Sequence, residues 1–239
     1  MPRSVVLAGA ARCPCCSQPP RWCICDAVPK VSSGLLVHVL IHHNERHKPS
    51  STGSLIGRVV DNASCHVYRR QSRIHDQGGV APDALDPGRE IWVLHPRGEP
   101  IPAAAAATGG PPFPQVVLLD GTWRQAGEML RTVAGLGKLV RLPEQEPSRY
   151  WLRDQREPTQ VSTAEALLAV FRAVGYAAAE RCLRLHFELH VYATLRSRGQ
   201  REMAERYLGE SPLLDAIPEF LDRLNARHGP ERPEADSPD

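Results

Sequence analysis

Lysine is nearly missing from this chain. Only three of its 29 basic residues are lysines (Lys30, Lys48 and Lys138), and the rest are arginines. On composition alone the excess reads as a codon bias, although arginine also matches phosphate in a bidentate way and stacks on bases. A strong excess of one charge is missing too. A formal net charge of +2 does not announce a nucleic-acid binder. Local basic clusters remain at Arg46-His47-Lys48, at Arg69-Arg70 with Arg73, and at Arg196-Ser197-Arg198 with Arg201. A near-neutral chain can still carry a basic face. No apolar run approaches the length of a membrane span, so no membrane partner is expected. The first residues are too short a stretch for a secretory signal. There is no internal repeat. An even set of cysteines is also lacking: of seven, five fall between Cys13 and Cys25, and the others are Cys65 and Cys182. An odd, clustered set makes a poor disulfide framework and a good metal knuckle, which implies a reducing, cytoplasmic compartment.

What is present fits one large domain, or one domain plus a small module, in 239 residues. "GLLVHVLIHH" (34–43), "CHVY" (65–68), "EIWVLHP" (90–96, stopped by its proline), "QVVLLD" (115–120) and "KLVRL" (138–142) read as strands. A helix is expected from 50–52, carrying Leu55, Ile56, Val59 and Val60. The alanines of "IPAAAAATGGPPFP" can hold one helical turn. "TWRQAGEMLRTVAGL" reads as a helix with Trp123, Ala126, Leu130 and Val133 on one face. Ser162-Thr163-Ala164-Glu165 is a capping box opening another. Residues 182–191 fit either a strand alternation or a helix stripe; length and the flanking alanines favour helix. "SPLLDAIPEFLDRLNARHG" is a final amphipathic segment, followed by a proline-rich, acidic tail expected to be disordered. Strands alternating with helices predict an α/β fold with a mainly parallel sheet.

Two constellations carry chemistry. In "RCPCCSQPPRWCICD", Cys13-x2-Cys16 and Cys23-x-Cys25 are spaced to wrap four thiolates around a tetrahedral zinc, with Cys15 a competitor for the place of Cys16. Four thiolates leave no open position, so the zinc is read as structural. The second constellation is "VVLLDGTWRQA". In open α/β sheets, chemistry collects beyond the carboxyl ends of strands, and Asp120 stands there. Gly121 allows a sharp turn and Thr122 can cap the next helix. Trp123 can pack inward or offer a stacking face. From spacing alone, Asp120 is equally well a simple N-cap. His186-Phe187-Glu188-Leu189-His190 is not H-E-x-x-H and reads as core or solvated histidines.

"LDGTW" resembles the D-x-T-W signature of the DTW-domain family, the tRNA-uridine aminocarboxypropyltransferases related to SPOUT-type methyltransferases. The cysteine knuckle, "IHHNERHKPSSTGSLI" and "LPEQEPSRYWLRDQREPTQVSTAEA" are similar to further family blocks and occur in family order over residues 12–175. His43 stands where proline is expected and Ser51 where asparagine is expected. Ser17-Gln18 replaces an arginine-proline-like continuation. The resemblance implies a SPOUT-like sheet, a type in which the chain can be knotted, with an N-terminal zinc knuckle (1–30), an S-adenosylmethionine-dependent domain (31–228) containing C-terminal helices, and a tail (229–239). It implies transfer of the 3-amino-3-carboxypropyl group of S-adenosylmethionine to N3 of a tRNA uridine, releasing methylthioadenosine. Asp120 would be the general base. Thr122, Trp123, Arg124, His42, Glu45, Lys48 and Thr52 would face the RNA. Leu142, Pro143, Ser148, Tyr150, Arg153, Ser162, Thr163 and Glu165 would hold or support the donor, with its carboxylate at Arg153 or at the capped helix start. Cys13, Cys16, Cys23 and Cys25 would bind zinc. The alternatives are a SPOUT-like RNA methyltransferase, the same transfer to another RNA, and a non-catalytic zinc-knuckle RNA-binding protein. No obligate protein partner is expected.

Overall fold

Leu36–His42 (β1) is buried on both faces, and both of its neighbours in the sheet are parallel strands. That is the pattern of a strand covered on two sides. The computed structural model describes residues 11–69, 79–102, 113–153 and 160–226. The helical turn expected within 103–112, the basic residues Arg70 and Arg73, and the tail 229–239 lie outside them. After β1 come α1 (Thr52–Val59), β2 (Ala63–Tyr68), β3 (Ile91–Pro100), β4 (Gln115–Asp120), α2 (Trp123–Val133), β5 (Lys138–Arg141), α3 (Thr163–Ala173) and α4 (Ala177–Ser197). Three short helices follow: α5 (Arg201–Gly209), α6 (Leu213–Ala216) and α7 (Pro218–Ala226). The strands form one sheet, all parallel, in the order β2-β1-β4-β3-β5. Among the described residues, no helix is long and apolar enough to cross a membrane.

The two-residue period of a strand sends alternate side chains to opposite faces. Val37, Val39 and Ile41 of β1 and Val116 and Leu118 of β4 enter the larger core, with Leu55 and Ile56 of α1, Leu167 and Phe171 of α3, and Leu183 and Phe187 of α4. Leu40, Val93 and Val117 face the other way, onto Met129, Leu130 and Val133 of α2. Helices therefore cover both faces. By the same alternation Asp120 points to the side of Val116 and Leu118, toward α1 and α3. The chain leaves β1 for one edge of the sheet and leaves β4 for the other. The carboxyl ends of these two adjacent strands thus frame the crevice where ligands of open α/β sheets bind.

Three details depart from the sequence reading, and one ambiguity is resolved. Pro96 does not stop β3. The strand runs on to Pro100, and its register against β5 shifts between Leu94 and Glu99. Pro96 lies in that irregularity, where its missing N–H costs no ladder bond. The buried face of α2 is Gln125, Met129, Leu130 and Val133, whereas Trp123 is 51% exposed. The final amphipathic segment is two helices, since Pro218 begins α7 and proline is suited to a first helical turn. The ambiguous stretch 182–191 lies wholly within α4, as its length favoured.

Candidate active site and metal centre

Three helix N-termini converge at the carboxyl edge of the sheet. Ser51, standing where asparagine was expected, caps α1 by accepting from the Ser54 N–H at 3.0 Å. Serine and asparagine cap about equally well. Thr122 caps α2 in a full capping box, with Gln125 Oε1 accepting from the Thr122 N–H at 2.7 Å. The T-x-x-Q spacing carried that signal in the sequence. Ser162 caps α3, and the box with Glu165 is complete, as expected.

Asp120 ties two of these ends together. Its Oδ2 accepts from Ser51 Oγ at 2.9 Å. Its Oδ1 accepts from the Gly53 N–H at 3.2 Å and from Thr163 Oγ1 at 2.6 Å. A Cβ on Gly53 would lie 2.5 Å from Asp120 Cγ, so only glycine allows this approach. The Asp120 carboxylate is 6% exposed. Burial pushes its pKa up from the ordinary carboxylate value, and the Thr163 and Ser51 bonds offset only part of that.

Beside it lies an ionic cluster. Turns closed by Glu45 N–H to His42 O, Lys48 N–H to Glu45 O and Ser51 N–H to Lys48 O fold residues 42–51 so that Glu45 turns inward. Lys48 Nζ and Arg153 donate to its two carboxylate oxygens, each at 2.6 Å. The Glu45 side chain is 2% exposed, while those of Lys48 and Arg153 are 47% and 37% exposed. Burial alone would raise the Glu45 pKa. The bonds from Lys48 and Arg153 outweigh it and hold the carboxyl below its ordinary value. The expectation placed Glu45 on the RNA side; in the structure it is buried behind the two cations.

Ser148 Oγ donates to both oxygens of Glu165, at 2.9 and 2.8 Å, and the Arg149 N–H donates to the same group at 2.7 Å. Tyr150 is buried, and its hydroxyl donates to Ser50 O. Ser148, Tyr150, Arg153, Ser162, Thr163 and Glu165 are thus joined to the Asp120 region. Thr52 is buried in the first turn of α1. His42 falls on the opposite side of the sheet edge, 5.8 Å from Tyr68 between ring centroids, and it feels the charges of Glu45 and Arg124. Leu142 and Pro143 follow β5 at the sheet edge, two strands from β4. Among the described residues they have no hydrogen bond to Asp120 or its partners. The sequence reading missed Arg149, which clamps Glu188 of α4 at 2.8 Å and Glu210 at 3.0 Å. Nothing local to Arg149 points that far along the chain.

At the N-terminus, the Sγ atoms of Cys13, Cys16, Cys23 and Cys25 all lie within 4.8 Å of one another. Cys15 is exposed and outside the set. The donor set and its closure fit a tetrahedral thiolate-bound metal. Backbone N–H bonding, chiefly from Cys16, brings the Cys13 thiol down to about 6, whereas burial pushes the Cys16 and Cys25 thiols up, so without a cation the set favours one thiolate beside protonated thiols. The knuckle is held on α4. Gln18 Nε2 donates to Thr194 Oγ1 at 2.8 Å, and the Arg196 guanidinium sits 4.8 Å from the Trp22 ring centroid. The histidine stretch of α4 is structural: His186 bonds Pro29 O at 2.8 Å, and His190 is completely buried.

Fold and site together define an α/β protein with a parallel sheet, a carboxylate at the switch point between two central strands, and a four-cysteine knuckle. The chain belongs to the DTW domain family, whose model matches residues 10–195. It is similar to a mouse protein named tRNA-uridine aminocarboxypropyltransferase 2, with 28% identity over 160 residues, covering 64% of this chain and 53% of the relative. The chain therefore spans about half the length of that curated relative. No solved structure matches.

Proposed function

We propose that the protein transfers the 3-amino-3-carboxypropyl group of S-adenosylmethionine to N3 of a uridine in tRNA. The observation that carries this reading is Asp120: a carboxylate fixed at the carboxyl end of β4, with its pKa raised, in a chain whose family and mouse relative point to tRNA modification. A carboxylate offers about four lone-pair sites. Three are taken by Ser51, Gly53 and Thr163, which leaves one for the uridine N3–H. Proton transfer to Asp120 accompanies attack of N3 on the methionine Cγ, the C–S bond breaks, and methylthioadenosine leaves as a neutral thioether. A raised pKa brings the base nearer to working pH, where general-base catalysis is most effective. Which carbon of the sulfonium reacts depends on which one faces N3, so positioning dominates.

Trp123, exposed at the start of α2, is the stacking surface for the splayed base, with the exposed Arg124 next to it in the chain, whereas His42 is buried. Ser148, Tyr150, Arg153, Ser162, Thr163 and Glu165 form or support the donor site, with Leu142 and Pro143 at its adenine end. Zinc in the knuckle is structural, held by Cys13, Cys16, Cys23 and Cys25. On this function the sheet is SPOUT-like, of the type that can be knotted, and the compartment is cytoplasmic.

The test is incubation with tRNA and S-adenosylmethionine labelled in either the methyl or the carboxypropyl carbons. Carboxypropyl label in tRNA is expected, and Asp120→Asn is expected to abolish it while donor binding persists. Methyl label alone would make the protein a methyltransferase. No label in any RNA would leave a binding module.

A further inference from the structure

An anionic group at this sheet edge would ordinarily be received by a helix N-terminus. At all three candidates the chain's own side chains take part of the donor set. At α1 the Gly53 N–H is taken by Asp120 and the Ser54 N–H by Ser51. At α2 Gln125 and Thr122 satisfy one another. At α3 the Glu165 carboxylate itself stands beside the helix start, accepting from the N–H groups of the cap residue Ser162 and of Arg149. The negative charge of Glu165 thus disfavours a second carboxylate at the capped start of α3.

The pair of cations on Glu45 is a stronger seat, because it carries full positive charge. Lys48 and Arg153 each give one hydrogen bond to it, through Nζ and Nη2. An ammonium has three donors and a guanidinium five, so both have donors left over. Their side chains are partly exposed while Glu45 is buried. The trio carries one net positive charge. Without the carboxylate between them, two neighbouring cations repel each other and lose their common orientation. Arg153 also rests 6.0 Å from the Tyr150 ring centroid, and Tyr150 is anchored to Ser50.

We propose that Glu45 is a positioning residue that holds Lys48 and Arg153 together as the seat for the carboxylate of the donor's methionine moiety. This rests on the transferase reading above. In that reaction N3 approaches Cγ to about 3–3.5 Å, and the carboxylate is joined to Cγ through two further carbons. Its seat must therefore lie beside the base. Glu45 and Arg153 are both close enough to Asp120 to perturb its ionisation. Lys48 thereby moves from the RNA side of the site to the donor side.

Binding of S-adenosylmethionine is compared by calorimetry with that of decarboxylated S-adenosylmethionine, which keeps the nucleoside, the sulfonium and the amine but has no carboxylate. In the wild-type protein the carboxylate-bearing ligand gains from the seat. Glu45→Gln is expected to weaken S-adenosylmethionine about tenfold or more, the scale of one charge-assisted hydrogen bond, and to leave the decarboxylated analogue unchanged. Should Glu45→Gln fail to fold, Lys48→Met and Arg153→Gln at the more exposed positions give the same comparison. Equal loss for both ligands would show general damage and overturn the proposal. Unchanged donor binding with weaker, less salt-dependent tRNA binding would assign the seat to a phosphate and overturn it too. Wild-type protein that binds neither small ligand would sink the transferase reading, and the seat with it.

Discussion

Asp120 and Glu45 are two buried carboxylates pushed in opposite directions. Asp120 has no cation bonded to it, so burial prevails and its pKa is raised. Glu45 has two cations, so its pKa is lowered. The consequences for stability have opposite signs. The folded protein holds the Asp120 proton more tightly than the unfolded chain does. Its contribution therefore falls as pH rises from the unfolded value, about 3.9, through the raised native one. Asp120→Asn removes that loss, and chemical denaturation across a pH series should show the variant gaining on wild type over that interval. Glu45 contributes stability above its unfolded value, about 4.3, and that stability is lost as pH falls through the depressed native value. Glu45→Gln should cost about 1–2 kcal/mol near neutral pH, since the partners are partly exposed, and flatten the acid limb of the same profile. Gly53 gives a steric test at the same site. Gly53→Ala puts a methyl against the Asp120 carboxylate and should cost about 1–3 kcal/mol by denaturation midpoint.

Among the elements, α2 carries the signal that local pattern could not resolve. Trp123 fits an apolar stripe with Ala126, Leu130 and Val133, yet it is exposed because the cap at Thr122 starts the helix beyond the sheet edge. Trp123→Ala should change stability by less than about 0.5 kcal/mol. In the proposed function it should weaken tRNA binding by about 1–3 kcal/mol, the worth of one stacked base. Titration of tRNA beside a thermal melt measures both. The cap of α3 was readable as S-T-A-E. What it is fastened to was not, because Ser148 and Arg149 reach Glu165 from a loop 17 and 16 residues earlier.

At the scale of the molecule, the knuckle and the sheet share one core. Cys16, Trp22 and Ile24 are buried in the same cluster as α1, α3 and α4. A metal on the four cysteines would therefore support more than its own loop. Chelation, or Cys16→Ser, should lower the unfolding midpoint of the whole protein and raise the accessibility of Trp22. Metal content and a quencher titration of tryptophan fluorescence check the two effects.

The sequence by itself determined the features written in short-range pattern: alternation of strands and helices, the capping boxes, the four-cysteine spacing, and a carboxylate at the end of β4. Each depends on residues a few positions apart, where backbone period and side-chain reach are fixed by covalent geometry. Only the tertiary structure decided the order of strands, and with it every pairing across the site. Glu45 meets Arg153 across 108 positions, and Asp120 meets Ser51 across 69 and Thr163 across 43. Those contacts follow from β1 and β4 lying side by side, a choice made by the packing of whole faces against α1, α3 and α4.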